Sequence, residues 1–259
     1  MSAHPSPPSR GSANRSPLPI QATVKEAYRL LWGSRDDLLR LGVAPVLVSF
    51  VLEWLAHRLS PGLIVLLLAL ATMLPLTLFA VNWHRLVLLG PAQAAAGLGV
   101  RWERRETRFL YRTLLLALGV AVVMVVPTLL AMGLLQRSPL GYPIMGAIAF
   151  VGLLLSLRFS LVYPATAVDE RYGFAQSWSD TSGCGFQLLA GVVLASVPIW
   201  LAFYALRLIA MGTGLAAAAP LSLLLLDHAG DYVAAAAYLT VLSLVFRRQT
   251  GWPTMQGST

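Results

Sequence analysis

The chain has 259 residues and a formal charge of +8, with 57% hydrophobic and only 12% charged residues. Soluble domains carry about 25% charged residues, so this composition excludes an ordinary soluble protein that hides its apolar side chains in its own core. Apolar runs of about 20 residues are typical of transmembrane helices, and the sequence therefore predicts an all-α polytopic membrane protein.

The chain opens with a polar segment and then an amphipathic one. Residues 1–19 contain five Ser and five Pro and no apolar run, which predicts a disordered tail rather than a cleaved signal peptide. Across residues 20–32, apolar side chains recur at helical spacing, while Thr23 and Lys25 fall on other faces. This pattern predicts an amphipathic helix in the membrane interface. Ser34 and the acidic residues after it predict a capped start for the first membrane span.

Six membrane spans are predicted, each long enough to cross about 30 Å of hydrocarbon at about 1.5 Å per residue. The membrane domain covers residues 20–248, and a short tail follows at 249–259. The last span contains Asp231, and the apolar residues 215–226 before it either lie along the outer surface or dip into the membrane. The predicted spans are residues 38–56, 62–82, 109–135, 140–163, 186–209 and 228–246.

The positive charges predict the orientation of the chain. With these spans, sixteen of the nineteen Lys and Arg residues lie on one side, and only Arg58, Arg137 and Arg207 lie on the other. Positive residues stay in the cytoplasm, so both termini are predicted to be cytoplasmic. An even number of spans agrees with this, because it requires both termini to lie on the same side. The chain has a single Lys, and this strong preference for Arg is typical of a GC-rich bacterial coding sequence, which favours a bacterial inner membrane.

Three stretches of the sequence carry distinctive motifs near the ends of the predicted spans. Residues 79–90 read FAVNWHRLVLLG, with Trp-His-Arg at the end of the second span. Residues 157–170 read LRFSLVYPATAVDE, with Arg-x-Ser and then Pro. Residues 175–183 read AQSWSDTSG, with Ser-Trp and then Thr-x-Gly. These motifs resemble those of the YciC-like inner-membrane proteins and of the membrane region fused to some glycerophosphodiester phosphodiesterases.

The resemblance covers nearly the whole chain after residue 20 and implies a six-span fold without an agreed activity. Ser179 and Asp180 stand where that group usually has basic residues, which argues against a headgroup-binding role for this loop. The chain has no soluble phosphodiesterase domain in its sequence, so the resemblance does not imply that activity.

The sharpest charge pattern is RWERRETRFLYR, residues 101–112, where the third span begins. At about 100° per residue its five arginines fall within about 60° of one line, which predicts a basic stripe on a cytoplasmic extension of the helix. The stripe is either a contact for anionic lipid headgroups or an acidic partner, or a topology anchor whose Glu103 and Glu106 face water. Its arginines are Arg101, Arg104, Arg105, Arg108 and Arg112.

A polar group is predicted at the inner end of the second and fourth spans. Polar residues inside a membrane often mark a site, because each one is costly unless it is paired. The other interpretation is an interfacial belt, in which Trp83 anchors the helix and the arginines extend to the surface. The members of this inner cluster are Asn82, His84, Arg85, Arg158 and Ser160.

A second polar group is predicted on the outer side. Its carboxylates and imidazoles are groups that ligate divalent metals or relay protons. They come from distant segments without metal-ligand spacing, and arginines on the same side are ready partners, so no metal site is predicted. The members of this outer cluster are Glu53, His57, Asp227, His228 and Asp231.

The motifs favour a protein without catalytic machinery. The sequence has no P-loop, HExxH, GxSxG or CxxC motif, and Cys184 is its single cysteine. It has no basic soluble module for nucleic acid. We expect a non-enzymatic membrane protein without a cofactor, an interaction or lipid-contact module with a basic cytoplasmic face. The alternative is a small transporter component, since discontinuous helices build many transport sites and prolines lie within the spans: Pro45, Pro75, Pro127, Pro143 and Pro198.

Overall fold

The computed structural model describes residues 18–91, 101–135 and 138–252, so most of the predicted N-terminal tail lies outside the described residues. Within these ranges the chain forms helices and no strands, and six helical segments are long and apolar enough to cross a membrane. The prediction of an all-α multi-pass membrane protein with six spans is therefore confirmed.

The described residues form eleven helices. The second span consists of α3 and α4, which meet at Thr72, and the fourth consists of α6 and α7. The helices are α1 (Ile20–Gly33), α2 (Arg35–Ala56), α3 (Leu63–Ala71), α4 (Met73–Leu89), α5 (Arg104–Leu135), α6 (Gly141–Phe159), α7 (Val162–Ala167), α8 (Phe174–Asp180), α9 (Gly185–Gly212), α10 (Leu215–Ala218) and α11 (Pro220–Thr250).

The central helix of the bundle is α11, which packs against α9, α4, α2 and α1. Most of its residues between Tyr232 and Phe246 are buried, and its many small side chains allow the neighbouring helices to approach closely. The helix begins at Pro220. Proline suits the first helical turn because a backbone N–H at that position would have no partner within the helix, so its absence costs no hydrogen bond. The predicted start at residue 228 is therefore too late, and residues 220–226 belong to the last span.

The fifth and sixth helices form a hairpin at the side of the bundle. Gly152 of α6 faces Met124 and Val120 of α5, and the absent side chain lets the two helices pack closely. Beyond Phe109, α5 exposes most of its apolar side chains, among them Leu118 and Leu129. In a chain with this composition, such exposed aliphatic surface is suited to contact with lipid.

The first helix docks on α9 and α11. The prediction that Thr23 lies on a polar face is wrong: it is buried and donates a hydrogen bond to the carbonyl of Pro19, 2.9 Å away. Glu26 accepts hydrogen bonds from Arg247 at 2.6 Å and from Arg248 at 2.7 Å, which tie α1 to the end of α11. The residues that α1 buries are Thr23, Ala27 and Leu31.

The junction of α1 and α2 lacks the predicted capping box. Ser34 precedes α2 but makes no side-chain cap, since no hydrogen bond joins its hydroxyl to the first turn. Asp36 and Asp37 lie in that turn, where the positive end of the helix dipole favours carboxylates. Asp37 forms an ion pair with Arg40 at 2.8 Å.

One end of the bundle, which we call the basic end, holds α1, the start of α5, the short helices α7 and α8, and the end of α11. Arg85 of α4 donates a hydrogen bond to the carbonyl of Ala167 there, at 3.1 Å. The opposite end holds Arg58 and Arg207, two of the three positive residues assigned to the minority side, while Arg137 lies outside the described residues. Among the described residues, the structure therefore places Arg58 and Arg207 at the end opposite to the basic end, as the predicted six spans require.

Candidate functional site

The predicted basic stripe lies at the basic end. The helix α5 starts at Arg104, so Arg101 precedes it and is not part of its face. The other four arginines of the stripe share one face of α5. Arg101, Arg104 and Arg108 are exposed, and Arg105 and Arg112 are half-buried.

The stripe is joined to the loop between α7 and α8. The carboxylate of Asp169 lies 3.8 Å from Arg105 and 3.6 Å from Arg108. Arg112 donates a hydrogen bond to the hydroxyl of Thr166 in α7, at 2.6 Å. Arg105 and Arg112 therefore serve packing as well as charge, whereas Arg108 is half-exposed and its pairing with Asp169 is long.

The two glutamates of the stripe differ, and the expectation that both face water is wrong for Glu106. The residue is only 3% exposed, and its carboxylate accepts a hydrogen bond from the backbone N–H of Glu103 at 2.8 Å, which caps α5. Glu103 accepts a hydrogen bond from Arg105, which lowers the pKa of the Glu103 carboxyl. Glu103 thus stays ionised beside the arginines and offsets part of their charge.

Each residue of the predicted inner cluster has a hydrogen-bond partner outside the cluster. His84 is fully buried, and its Nδ1 lies 2.7 Å from the hydroxyl of Ser243 on α11. That hydroxyl already donates to the carbonyl of Leu239, so it accepts, and His84 donates through Nδ1. Asn82 bonds within its own helix, to the carbonyl of Leu78 at 2.8 Å. Both residues belong to the packing of α4.

Arg158 takes a different partner. Its guanidinium lies 3.6 Å from the centre of the Trp178 ring and donates a hydrogen bond to the Trp178 carbonyl at 2.9 Å. Its own carbonyl accepts hydrogen bonds from Ser177 at 2.8 Å and Thr181 at 3.0 Å. Because α6 ends one residue later, this carbonyl has lost its helical donor. Ser160 bonds locally, to the carbonyl of Leu157.

These contacts give the motif AQSWSDTSG, residues 175–183, a structural role. Ser177, Trp178 and Thr181 fasten α8 to the end of α6, and Tyr172 donates to the carboxylate of Asp180 at 2.8 Å, which closes the segment. The sequence analysis did not identify the two hydroxyl donors, Ser177 and Thr181. Hydroxyl residues one turn apart beside a helix end were the available signal.

The outer cluster divides into pairs at the opposite end. Glu53 lies 3.1 Å from Nε2 of His228, and Asp227 accepts a hydrogen bond from Arg207 at 2.8 Å. His57 turns back to the carbonyl of Glu53 at 2.8 Å. Asp231 is exposed. Across the part of the chain that the structure describes, no three His, Cys, Asp or Glu side chains converge as metal ligands.

In comparisons with known proteins, no family model, curated protein or solved structure matches this chain.

Proposed function

We propose that the chain is a non-enzymatic protein of the bacterial inner membrane whose basic end faces the cytoplasm and contacts anionic lipid headgroups. Both termini then lie in the cytoplasm. The observation that carries the proposal is the exposure of Arg101, Arg104 and Arg108 where α5 enters the membrane. The proposed kinship with the YciC-like proteins is compatible with this role, since that group has no agreed activity.

The charges at this position favour lipid over a soluble partner. Arg104 and Arg108 sit in the first turns of a membrane span and Arg101 lies three residues before it, so their guanidinium groups reach the headgroup layer of the leaflet that the span enters. A basic residue near an anionic surface contributes about 1 kcal/mol, and the attraction falls off within about 10 Å at 0.1 M salt. Three exposed arginines therefore support a preference for anionic lipid that salt weakens.

The transporter alternative has less support. A transport path needs polar side chains that face a hydrated space. In the described core, polar side chains pair across helices instead: Trp83 with Thr240 at 2.9 Å, and Ser49 with Tyr232 at 2.9 Å. Such pairs serve helix association.

The proposal is tested by native mass spectrometry of the chain ejected from nanodiscs that contain equal amounts of phosphatidylglycerol and phosphatidylcholine. We expect the wild type to retain phosphatidylglycerol preferentially. Replacing Arg101, Arg104 and Arg108 by Gln removes three basic contacts, so the enrichment falls at least about fivefold, the equivalent of one contact.

The matched control removes the same charge from exposed arginines outside the stripe: Arg29→Gln, Arg35→Gln and Arg171→Gln. This control keeps most of the enrichment if the stripe is the contact. Equal retention of both lipids by the wild type, or equal losses in both triple variants, would falsify the proposal.

A further inference from the structure

An apolar groove of about 530 Å³ lies between α5, α6 and α8. Leu116, Gly119 and Val123 of α5 form one wall, Leu155 and Phe159 of α6 form the other, and Trp178 of α8 lies at its end toward the basic end. Gly119 leaves the wall open, because no atom lies within 4 Å of the position that a Cβ would occupy.

The groove continues the face of α5 that carries the basic stripe. Leu116, Gly119 and Val123 follow Arg112 by four, seven and eleven residues, and at about 100° per residue all three lie within about 40° of it. Arg108 lies one turn before Arg112 on the same face. A single helical face thus changes from cationic to apolar as it enters the membrane.

A second cation, the guanidinium of Arg158, lies at the same end of the groove, on the side formed by α6. Phe159 and Trp178 are in aromatic contact, with ring centres 5.2 Å apart. The Trp178 ring also carries the guanidinium of Arg158, 3.6 Å from its centre. The apolar wall of the groove therefore ends directly beside a positive charge on α6, as it does on α5.

The length of the groove fits an acyl chain. Its α5 wall runs from Leu115 to Val123, which spans about 12 Å at about 1.5 Å per residue. One leaflet of the hydrocarbon core is about 15 Å thick, half of the bilayer's 30 Å. The groove thus follows most of one leaflet and opens at the arginines, where the headgroup of a lipid lies.

We propose that this groove is a specific site for one anionic phospholipid, with an acyl chain along Gly119 and the phosphate beside Arg108 and Arg112. This inference rests on the proposed function and names the place where the contact is made. A zwitterionic lipid fills the groove equally well but carries a cation toward the arginines, so the charge at the mouth selects the anionic headgroup. The phosphate displaces the long contact of Asp169 with Arg108.

Occupancy is measured by the quenching of Trp178 fluorescence by lipids with brominated acyl chains. The Trp178 signal is the difference between the wild type and Trp178→Phe, each reconstituted in phosphatidylcholine nanodiscs. We expect brominated phosphatidylglycerol to quench this signal at about fivefold lower mole fraction than brominated phosphatidylcholine, the difference that one basic contact supplies.

The groove itself is tested by filling it. Gly119→Leu places a side chain in the open space, so the quenching of Trp178 by phosphatidylglycerol falls to the level of the phosphatidylcholine control. Gly133→Leu is the matched control, since Gly133 lies on the same helix, outside the groove, and its Cβ position is equally open. This variant keeps the wild-type quenching curve.

The outcomes separate the two proposals. Suppose that the triple Gln variant of Arg101, Arg104 and Arg108 loses phosphatidylglycerol enrichment, but brominated phosphatidylglycerol quenches Trp178 in Gly119→Leu as it does in the wild type. The groove is then not the site, and the proposed function stands. If the wild type shows no enrichment and both brominated lipids quench equally, both proposals fail. A Trp178 signal that neither brominated lipid quenches also overturns the groove assignment, because another protein segment then covers it.

Discussion

The hydroxyl of Tyr28 in α1 donates a hydrogen bond that is shared between two backbone carbonyls of α9, that of Ala195 at 2.9 Å and that of Leu194 at 3.2 Å. Pro198 lies four residues after Leu194 and has no backbone N–H, so the Leu194 carbonyl lacks its helical donor. Tyr28 thus offers the Leu194 carbonyl, from another helix, part of the hydrogen bonding that it loses to Pro198. Burial raises the pKa of the Tyr28 hydroxyl, which keeps the donor protonated.

We expect Tyr28→Phe to lower the free energy of unfolding by about 1 kcal/mol, because it removes this shared hydrogen bond and leaves the Leu194 carbonyl without a donor. Thermal unfolding in detergent measures the change. Tyr142→Phe is the control, since Tyr142 is 74% exposed. In a Pro198→Ala background the Leu194 carbonyl regains its helical donor, so the loss should be smaller there; an unchanged loss contradicts the explanation.

The pairing of α4 with α11 gives a second prediction. The Thr240 hydroxyl donates to the carbonyl of Ala236 and accepts from the indole N–H of Trp83, both on buried atoms. Thr240→Val keeps the shape but leaves the indole unpaired, and we expect a loss of about 0.6 kcal/mol, the average for interhelical hydrogen bonds in membranes, and at most about 1.7 kcal/mol. A double-mutant cycle with Trp83→Phe isolates the pair, and a coupling energy of zero contradicts it.

Close packing of α11 against α9 depends on Gly230. A Cβ at this position would lie 2.7 to 3.0 Å from three atoms of Phe203, two of them the first atoms of its side chain. We expect Gly230→Ala to destabilise the bundle by about 1–3 kcal/mol through overpacking, measured as a shift of the unfolding midpoint. Gly146→Ala is the control, because its Cβ would meet nothing. Phe203→Leu should restore part of the lost stability in the double variant; no recovery argues against the clash.

The proposed orientation predicts which exposed serines a membrane-impermeant maleimide reaches. In a Cys184→Ser background, Ser60→Cys lies at the opposite end and Ser182→Cys at the basic end, and both native side chains are exposed. In intact spheroplasts we expect labelling at position 60 only, and at position 182 after lysis. The reverse pattern overturns the orientation and, with it, the cytoplasmic lipid contact.

The local chemistry of the chain accounts for much of the fold. Apolar runs of membrane-spanning length predict the six spans, and the grouping of arginines at one end follows from them. Helix boundaries were less predictable. The last helix starts at Pro220 rather than at residue 228, and the sequence did not reveal this because an apolar stretch beside a span looks the same whether or not it continues the helix. Most of the basic stripe was visible because helical periodicity alone places four of its five arginines on one face; the start of the helix at Arg104, which excludes Arg101, was not visible.

The partners of the polar residues were decided only by the tertiary structure. Arg158 and Arg85 were expected to meet, yet Arg158 stacks on Trp178 and Arg85 reaches the carbonyl of Ala167. Glu106 looked like a solvated charge and is buried as a cap. Hydrogen bonds and packing join residues far apart in the chain, so composition and periodicity determine where this protein resides, while the docking of α1, α8 and α11 determines which of its polar groups are already paired and which charges remain exposed for a ligand.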